Sequence, residues 1–578
     1  WTQDIARRLS EQLGAIVTPE ELVVPPNLQM GDMAFGCFRL GKERKQNPAE
    51  LAKDIAARFS RTTTELTGVE AIGPYVNFTL RISDAVSRIV ADVERDKDAY
   101  GNGEEGASRQ LLLEYAQPNT HKEVHVGHLR NLALGVSLVR ILRANGWVVI
   151  PASYHGDVGA HVAKCLWFLL RAHSLSADTL TMQAVDTLLA TIPLAEKTGE
   201  YLGKLYTAST NALEEDIDAK ERISELQRRL EAHDPILEKL WRETCRWSFE
   251  EMDVIFDDLG VSIERRYLES EVVDRGQAMV NDLLAKHIAK ESQGAIVVDL
   301  EDKKLGIFLV RKSDGTSLYA TKDLALAELK AKEYPDAQRS LMLVDNRQAF
   351  YFQQLFETLR RMQFEQTFEF VGFDFVTLKS GAMSSREGNV VTYQSFRASV
   401  MSYAREEIMK RHADWSEGKV SHVAWAIAQG GMKFGMLKQD SDKVFTFDLE
   451  QALSFDGDTG PYCQYAATRL SSILKKVESV STAVSASMVF DHPSEKALAL
   501  TIGVLPARMH QAGKELRPCM IAQWCVEMAQ RVHAFYRDVP VLDASPEVRA
   551  GRIRLVRAAH AALEKGLWLL GIPLPDEM

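Results

Sequence analysis

Leu111-Leu112-Leu113-Glu114-Tyr115 is an apolar run, and a short way downstream His125-Val126-Gly127-His128 opens the amphipathic segment Leu129 to Leu142. The pattern reads as strand, turn and helix start. A helix N-terminus leaves backbone N–H groups free and carries the positive end of the helix dipole, which suits an anion such as phosphate. Gly127 removes the Cβ where a nucleotide would approach closely. His125 and His128 are spaced to point to one side. The plainer alternative is two unrelated surface histidines beside a helix start. Trp147 to Pro151 reads as a second strand. The stretch is therefore one βαβ unit and predicts a parallel, doubly wound α/β sheet.

At 578 residues the chain exceeds one ordinary core, which predicts roughly three or four domains. A hydrophobic share of 46% and a charged share of 26% match a soluble globular protein. No apolar stretch is long enough for a bilayer span, and Trp1-Thr2-Gln3-Asp4 lacks a signal-peptide pattern, so no membrane contact and a cytoplasmic location are expected. Cys37, Cys165, Cys245, Cys463, Cys519 and Cys525 show no Cys-x-x-Cys pairing, so reduced buried thiols are expected and structural zinc is not. A net charge of −11 excludes a chain basic throughout but leaves room for local basic patches.

Residues 1–20 read as a helix with Ile5, Leu9, Leu13 and Ile16 on one face, followed by a helix from Ala49 to Phe59 and a strand from Tyr75 to Leu80. Gly101-Asn102-Gly103-Glu104-Glu105-Gly106 reads as a linker closing a first domain, 1–106. A second domain, 107–394, carries a helical insertion at about 165–290. Strand-like runs stand at Gly294–Leu300, Leu305–Val310, Ser340–Val344 and Phe368–Val376, and helical periodicity dominates a third region, 395–578.

Further ordered stretches accompany the His-x-Gly-His turn: Glu114-Tyr115-Ala116-Gln117-Pro118-Asn119-Thr120-His121-Lys122; Ser313-Asp314-Gly315-Thr316 through Tyr319 to Asp323; Met383-Ser384-Ser385-Arg386-Glu387-Gly388; Phe455-Asp456-Gly457-Asp458-Thr459-Gly460-Pro461-Tyr462; and Gly566-Leu567-Trp568-Leu569-Leu570-Gly571-Ile572-Pro573. Together they resemble the arginyl-tRNA synthetase family of class I aminoacyl-tRNA synthetases, from about Gly31 to Met578. The resemblance implies a class I parallel-sheet catalytic domain, an α+β N-terminal appendage meeting the tRNA elbow, and an all-α C-terminal anticodon-binding domain. It implies ligation of L-arginine to tRNA(Arg) through an arginyl-adenylate, with ATP and Mg2+, activation dependent on tRNA, and a monomer.

By that resemblance Tyr319, Asp323 and Gln348 line the arginine site, with Glu114 and Asn119 near the amino and carboxylate ends. A guanidinium carries five donors and no acceptor, so its pocket needs acceptors, and Asp323 shares a helical face with Tyr319. The bland alternative makes Asp323 an exposed helix acid beside Lys322. His125, Gly127 and His128, with Met383, Ser384, Ser385 and Arg386, are implied to hold ATP. Class I enzymes usually carry a Lys-Met-Ser-Lys-Ser loop, whereas here Ala382 and Ser385 replace both lysines. Lys122, just before His125, is placed to supply the missing charge unless it is a solvated surface lysine; Lys379 and Arg386 stand in reserve. Tyr75 and Asn77 are implied tRNA contacts, with burial in the strand as the alternative. Tyr462, Gln464, Arg469, Phe535 and Tyr536 supply side-chain types suited to unstacked anticodon bases, though several must be core. His155-Gly156-Asp157 is expected to border the active site. Two rivals remain: another class I enzyme such as the cysteinyl branch, disfavoured by the cysteine pattern, and a catalytically silent RNA-binding paralogue, suggested only by the altered loop.

Overall fold

A computed structural model describes residues 1–25, 30–59, 66–216, 218–313, 318–379, 391–478 and 488–578. The first hundred residues contain α1 (Thr2–Leu13), β1 (Leu22–Val23), β2 (Met33–Gly36), α2 (Phe38–Arg44), α3 (Pro48–Arg58), β3 (Leu66–Ile72), β4 (Tyr75–Leu80) and α4 (Ile82–Asp96). The strands form an antiparallel sheet in the order β1-β2-β4-β3. Ile5 and Leu9 are buried as the periodicity predicts, but α1 stops at Leu13. Gly14 closes it in a left-handed conformation, which leaves Ile16 exposed.

Next come β5 (Gln110–Glu114), α5 (Val126–Ala144), β6 (Val148–His155), α6 (Ala160–Ala172), α7 (Met182–Thr191), α8 (Gly199–Glu215), α9 (Ala219–Glu231), α10 (Pro235–Leu259), β7 (Arg265–Leu268), α11 (Val273–Ala285), β8 (Lys290–Ser292), β9 (Ala295–Asp299), β10 (Ile307–Arg311), α12 (Tyr319–Glu333), β11 (Ala337–Asp345), α13 (Ala349–Arg361), β12 (Thr367–Phe373) and β13 (Val376–Leu378). The remaining elements are α14 (Tyr393–Arg411), α15 (Glu417–Leu437), β14 (Phe445–Phe447), α16 (Leu449–Ala452), α17 (Gly460–Glu478), α18 (Pro493–Glu515), α19 (Cys519–Asp538) and α20 (Pro546–Leu569).

The chain divides into two compact units. One joins residues 1–100 with 469–504 and 527–562; the other joins 101–468 with 505–526 and 563–578. In the first, Asp32 accepts from the Leu80 N–H at 2.7 Å and pairs with Lys496 at 2.9 Å, while buried Glu495 pairs with Arg552 at 2.6 Å.

In the second unit a wholly parallel sheet runs β12-β11-β5-β6-β7. The chain moves outward from β5 through β6 to β7, then returns to lay β11 on the other side of β5. That reversal opens a crevice at the C-terminal ends of β5 and β11, the usual place for a ligand in such sheets. Strand β7 lies within the stretch expected to be a helical insertion. It is short, polar and at the sheet edge, so no apolar run announces it. The strand-like runs near 294–310 form a separate antiparallel sheet, β10-β9-β8. The glycine-rich stretch 101–106 is not a loose linker: Gly103 and Gly106 donate to Ala144 and Asn145 carbonyls, each at 2.8 Å.

Helix α5 is buried on nearly every face. Tyr115 crosses it at Gly135, where a Cβ would stand 1.9 Å from the ring. Gly135→Ala therefore overpacks this contact and should cost about 1–3 kcal/mol, read as a lower denaturant midpoint for this unit. An unchanged midpoint would mean that Tyr115 relocates freely.

Candidate active site

The turn between β5 and α5 holds two non-glycine residues in the left-handed region, Ala116 (φ 59°) and His121 (φ 58°). Such conformations persist when the surroundings enforce them. Ala116 is held because its N–H donates to Asn131 Oδ1 at 2.7 Å. At the start of α5, His125 Nδ1 accepts from the Gly127 N–H and His128 Nδ1 accepts from the His125 N–H, both at 3.1 Å. Both rings thus use Nδ1 as acceptor, which assigns the proton to Nε2 and leaves it as the available donor. The ring centres are 3.9 Å apart. Burial lowers the His125 pKa to about 4 and takes His128 well below its ordinary value, so both are neutral donors at pH 7. A Cβ on Gly127 would meet His125 Cε1 at 2.8 Å. The histidine ring itself demands this glycine, a nearer cause than nucleotide approach.

Chain on both sides of residues 380–390 is bonded to this turn. The Val126 N–H donates to Val391 O at 3.2 Å and the Tyr393 N–H to Val124 O at 2.8 Å. The buried Arg130 guanidinium donates to the carbonyls of Asp374 and Lys443 at 2.7 Å each and of Asp440 at 2.9 Å. Ala382, Met383, Ser384, Ser385 and Arg386 themselves lie outside the described residues. Lys379, held in reserve above, is exposed and paired with Asp448 at 2.9 Å. Lys122 is half-buried, with its ammonium 5.2 Å from the Tyr206 ring centre, and burial followed by the charge of Lys164 lowers its pKa.

At the crevice a cavity of about 280 Å³ collects Glu114, Asn119, Tyr319, Asp323 and Gln348. This is close to the lower end of small-molecule sites, roughly 300 Å³. Tyr154, Glu269, Lys330 and Tyr351 also line it, and the sequence reading names none of them. Glu114 is ion-paired with Lys330, both buried, and accepts from Gln117 Nε2 at 2.7 Å. Glu269 pairs with Lys322 at 2.7 Å. Asp323 accepts from the Tyr351 hydroxyl. Two ammoniums therefore serve two of the three acids, and one negative charge is left over at Asp323. Burial pushes its pKa up to about 7, with Glu114 and Glu269 adding to the shift and the Tyr351 hydrogen bond and the Lys330 charge opposing it. Asp323 faces the cavity, not solvent beside Lys322. Tyr319, 70% exposed, stands at its mouth.

His155-Gly156-Asp157 ties the surrounding loops together. His155 Nδ1 donates to Pro118 O at 2.7 Å, the Gly156 N–H donates to Asn119 Oδ1 at 3.2 Å, and Asp157 accepts from Ser270 N–H at 2.9 Å and its hydroxyl at 2.6 Å. A Cβ on Gly156 would stand 2.7 Å from Asn119 Oδ1.

The candidate RNA contacts separate by burial. Tyr75 is exposed and meets Phe38 edge to face at 5.4 Å, whereas Asn77 is buried with its amide 3.5 Å from the Tyr75 carbonyl. Gln464 is a core residue that donates to Ala426 O at 2.9 Å and Pro573 O at 2.6 Å, and Phe535 is also core. Both fall among the core residues that the sequence reading expects within this set, since a helix of period 3.6 turns only part of its surface outward. Tyr536 is exposed with the Arg469 guanidinium 4.8 Å from its ring centre, and Tyr462 is half-buried.

Family profiles match along the chain: "tRNA synthetases class I (R), catalytic domain" over residues 90–449, "DALR anticodon binding domain" over 463–578, and "Arginyl tRNA synthetase N terminal domain" over 1–80. An arginine–tRNA ligase of Bdellovibrio bacteriovorus is 34% identical, covering 96% of this chain and 94% of that protein. The chain belongs to the class I arginine–tRNA ligases. The ligase of Streptococcus suis is 32% identical over 99% of both chains. The arginyl-tRNA synthetase structure of Thermus thermophilus shares the fold, with a TM-score of 0.77 at 24% identity over 100% of this chain and 99% of that one.

Of the lining residues missed in this ligase's sequence, Lys330 lies on the helix of Asp323 and near the same face, and Tyr351 follows Gln348 closely; both had a local signal. Glu269 follows the inconspicuous β7 and had none.

An acid whose folded pKa is raised loses its stability contribution as pH rises through that pKa. Asp323 therefore weighs against the fold increasingly between about pH 4 and 7 and by a constant amount above. Asp323→Asn should raise the melting temperature at pH 8, with the gain shrinking toward pH 4. A lower melting temperature at pH 8 would refute the unpaired-acid description.

Proposed function

We propose that the cavity is the arginine subsite, that Asp323 anchors the guanidinium, and that the His125–His128 turn holds the phosphates of ATP. The charge count carries this reading: among the described residues Asp323 is the cavity acid with no cationic partner, and a guanidinium supplies one positive charge with five donors. Glu269 and Tyr319 add acceptors beside it. Asn119, Gln348 and Glu114, the last already sharing its charge with Lys330, orient the amino and carboxylate ends.

An arginine carboxylate oxygen attacks the α-phosphorus of ATP, and the bond to pyrophosphate breaks. The 3'-terminal hydroxyl of tRNA(Arg) then attacks the carbonyl carbon and AMP leaves. Catalysis is by placement and electrostatics, with no protein nucleophile. The Nε2–H groups of His125 and His128 donate to phosphate oxygens without needing to be charged, and Lys122 supplies the charge absent at Ala382 and Ser385. Met383, Ser384, Ser385 and Arg386 contact ATP. Magnesium enters on ATP, held by its phosphates; among the described residues no three His, Cys, Asp or Glu are grouped to hold an ion.

In this reading residues 1–106 meet the tRNA elbow through Tyr75, 107–394 catalyse, and 395–578 bind the anticodon, with the exposed Tyr536 and the half-buried Arg469 as a stacking pair. Activation requires tRNA, and the enzyme is a cytoplasmic monomer. No helix among the described residues is long and apolar enough to cross a membrane.

Ionised Asp323 binds the cation, so a proton competes with arginine below its raised pKa. The dissociation constant for arginine, from equilibrium dialysis with tRNA present, should rise about tenfold per pH unit below about pH 7. Asp323→Asn should bind weakly with no such slope, and an unchanged affinity in that variant would sink the assignment. Citrulline, close in shape but uncharged, should be rejected by roughly 10⁴-fold because it leaves the buried acid unpaired.

Lys122→Ala should lower the chemical step by about 10²–10³-fold with little change in KM for ATP, as expected when a transition-state charge partner is lost. Rapid-quench measurement of the tRNA-bound enzyme decides it. A rate within a few-fold of the parent returns Lys122 to an ordinary surface lysine.

A further inference from the structure

We propose that His121 is a positioning residue, through which helix α10 of the helical insertion sets the place of Lys122. The inference rests on the role given to Lys122 above. His121 is fully buried and left-handed, a conformation costly for a residue with a Cβ. Its N–H donates to Ser248 Oγ at 3.0 Å, and its Nε2 stands 2.9 Å from Thr244 Oγ1, one turn earlier on α10. The Thr244 hydroxyl itself donates to the carbonyl of Leu240 at 2.9 Å or Trp241 at 3.0 Å. The Thr120 hydroxyl, on the other side of the ring, likewise has a carbonyl to donate to, that of Gly156 at 3.2 Å. Nδ1 stands 3.0 Å from Thr120 Oγ1, and a neutral ring with one N–H donates to one of the two hydroxyls and accepts from the other. Every polar atom of the ring is used, and burial keeps it uncharged, with a pKa of about 3.

Asn119 and Lys122, on either side, are held differently. Asn119 has its own bond to the Gly156 N–H. Lys122 has the Tyr206 ring on α8 beneath its ammonium, and its backbone runs from His121, held by α10, to Val124, whose carbonyl accepts from the Tyr393 N–H at 2.8 Å. The next residue is packed as closely: a Cβ on Gly203 of α8 would meet the Glu123 nitrogen at 2.9 Å. The insertion thus grips residues 120–123 from two helices, and the plug into α10 is the grip adjacent to the working cation.

The test uses the full-length enzyme with saturating tRNA, comparing single-turnover rates and KM values of Thr244→Val, Thr244→Ser, His121→Asn and Lys122→Ala. Valine keeps the shape of threonine but cannot hydrogen-bond, so Thr244→Val should slow the chemical step about tenfold while KM for arginine stays within about twofold. Serine at 244 should keep the parent rate. Asparagine at 121 tolerates the left-handed backbone and offers a donor, so it should retain more than a third of that rate. In the Lys122→Ala background, Thr244→Val should add nothing. A slow Lys122→Ala beside a parent-like Thr244→Val overturns the positioning role alone. An equal further loss in the Lys122→Ala background overturns it too, because the damage then does not act through Lys122. A parent-like Lys122→Ala removes the reading of Lys122 and the inference with it.

Discussion

A helix buried on every side must find partners for each of its polar groups in other parts of the chain. Helix α5 is buried on nearly every face, and its polar residues organise the second unit, although the buried Arg130 Nε has no partner among the described residues. Arg130 holds three carbonyls around β13 and β14, and Asn131 holds the Ala116 N–H and reaches Leu343 O at 3.4 Å. Further along, Ser137 donates to Leu569 O at 2.9 Å and Arg140 to Trp568 O at 2.6 Å. Strand ends, the chain on both sides of 380–390, and the C-terminal segment are thereby placed relative to one helix whose first turn carries His125 and His128. The bonds of Asn131 and Ser137 are buried, so none of them is lost without leaving a polar group unpaired.

The same unit concentrates its unfavourable features at the crevice. Ala116 and His121 are left-handed, Asp323 is an acid with no ion-pair partner among the described residues, and two neutral imidazoles lie tilted against each other at a helix start. Each costs stability in the unliganded protein, and each is compensated by the packing around it. An arrangement of this kind has dipoles and one charge already aimed before substrate arrives, so little reorganisation is left for the reaction itself. The neutrality of His125 and His128 follows from their burial. Two imidazolium ions at their spacing would repel, whereas two Nε2–H donors do not.

Much of this architecture was legible along the chain. The strand before Tyr115, the start of α5 at His125 and the strand after Trp147 stand where apolar runs and a change of period place them. The cavity also assembles the five residues that family resemblance indicated for arginine: Glu114, Asn119, Tyr319, Asp323 and Gln348. Less was legible where the signal is weak or absent. Strand β7 is short and polar, Gly14 ends α1 early, and Gln464 and Phe535 have the chemistry of base contacts but lie in the core.

Periodicity, helix starts and turn chemistry are set by neighbours in the chain, so the sequence by itself determined the βαβ unit, the direction of the sheet and the histidine pair at its helix start. Charge pairing and burial depend on residues far apart in the chain, and only the tertiary structure decided them. Glu114 meets Lys330 across 216 positions, and Glu269 meets Lys322. Those two pairings are what leave Asp323 as the unmatched charge. Whether an acid on a helix is solvated or waiting for a cation depends on which ammoniums fold next to it, and no local pattern encodes that.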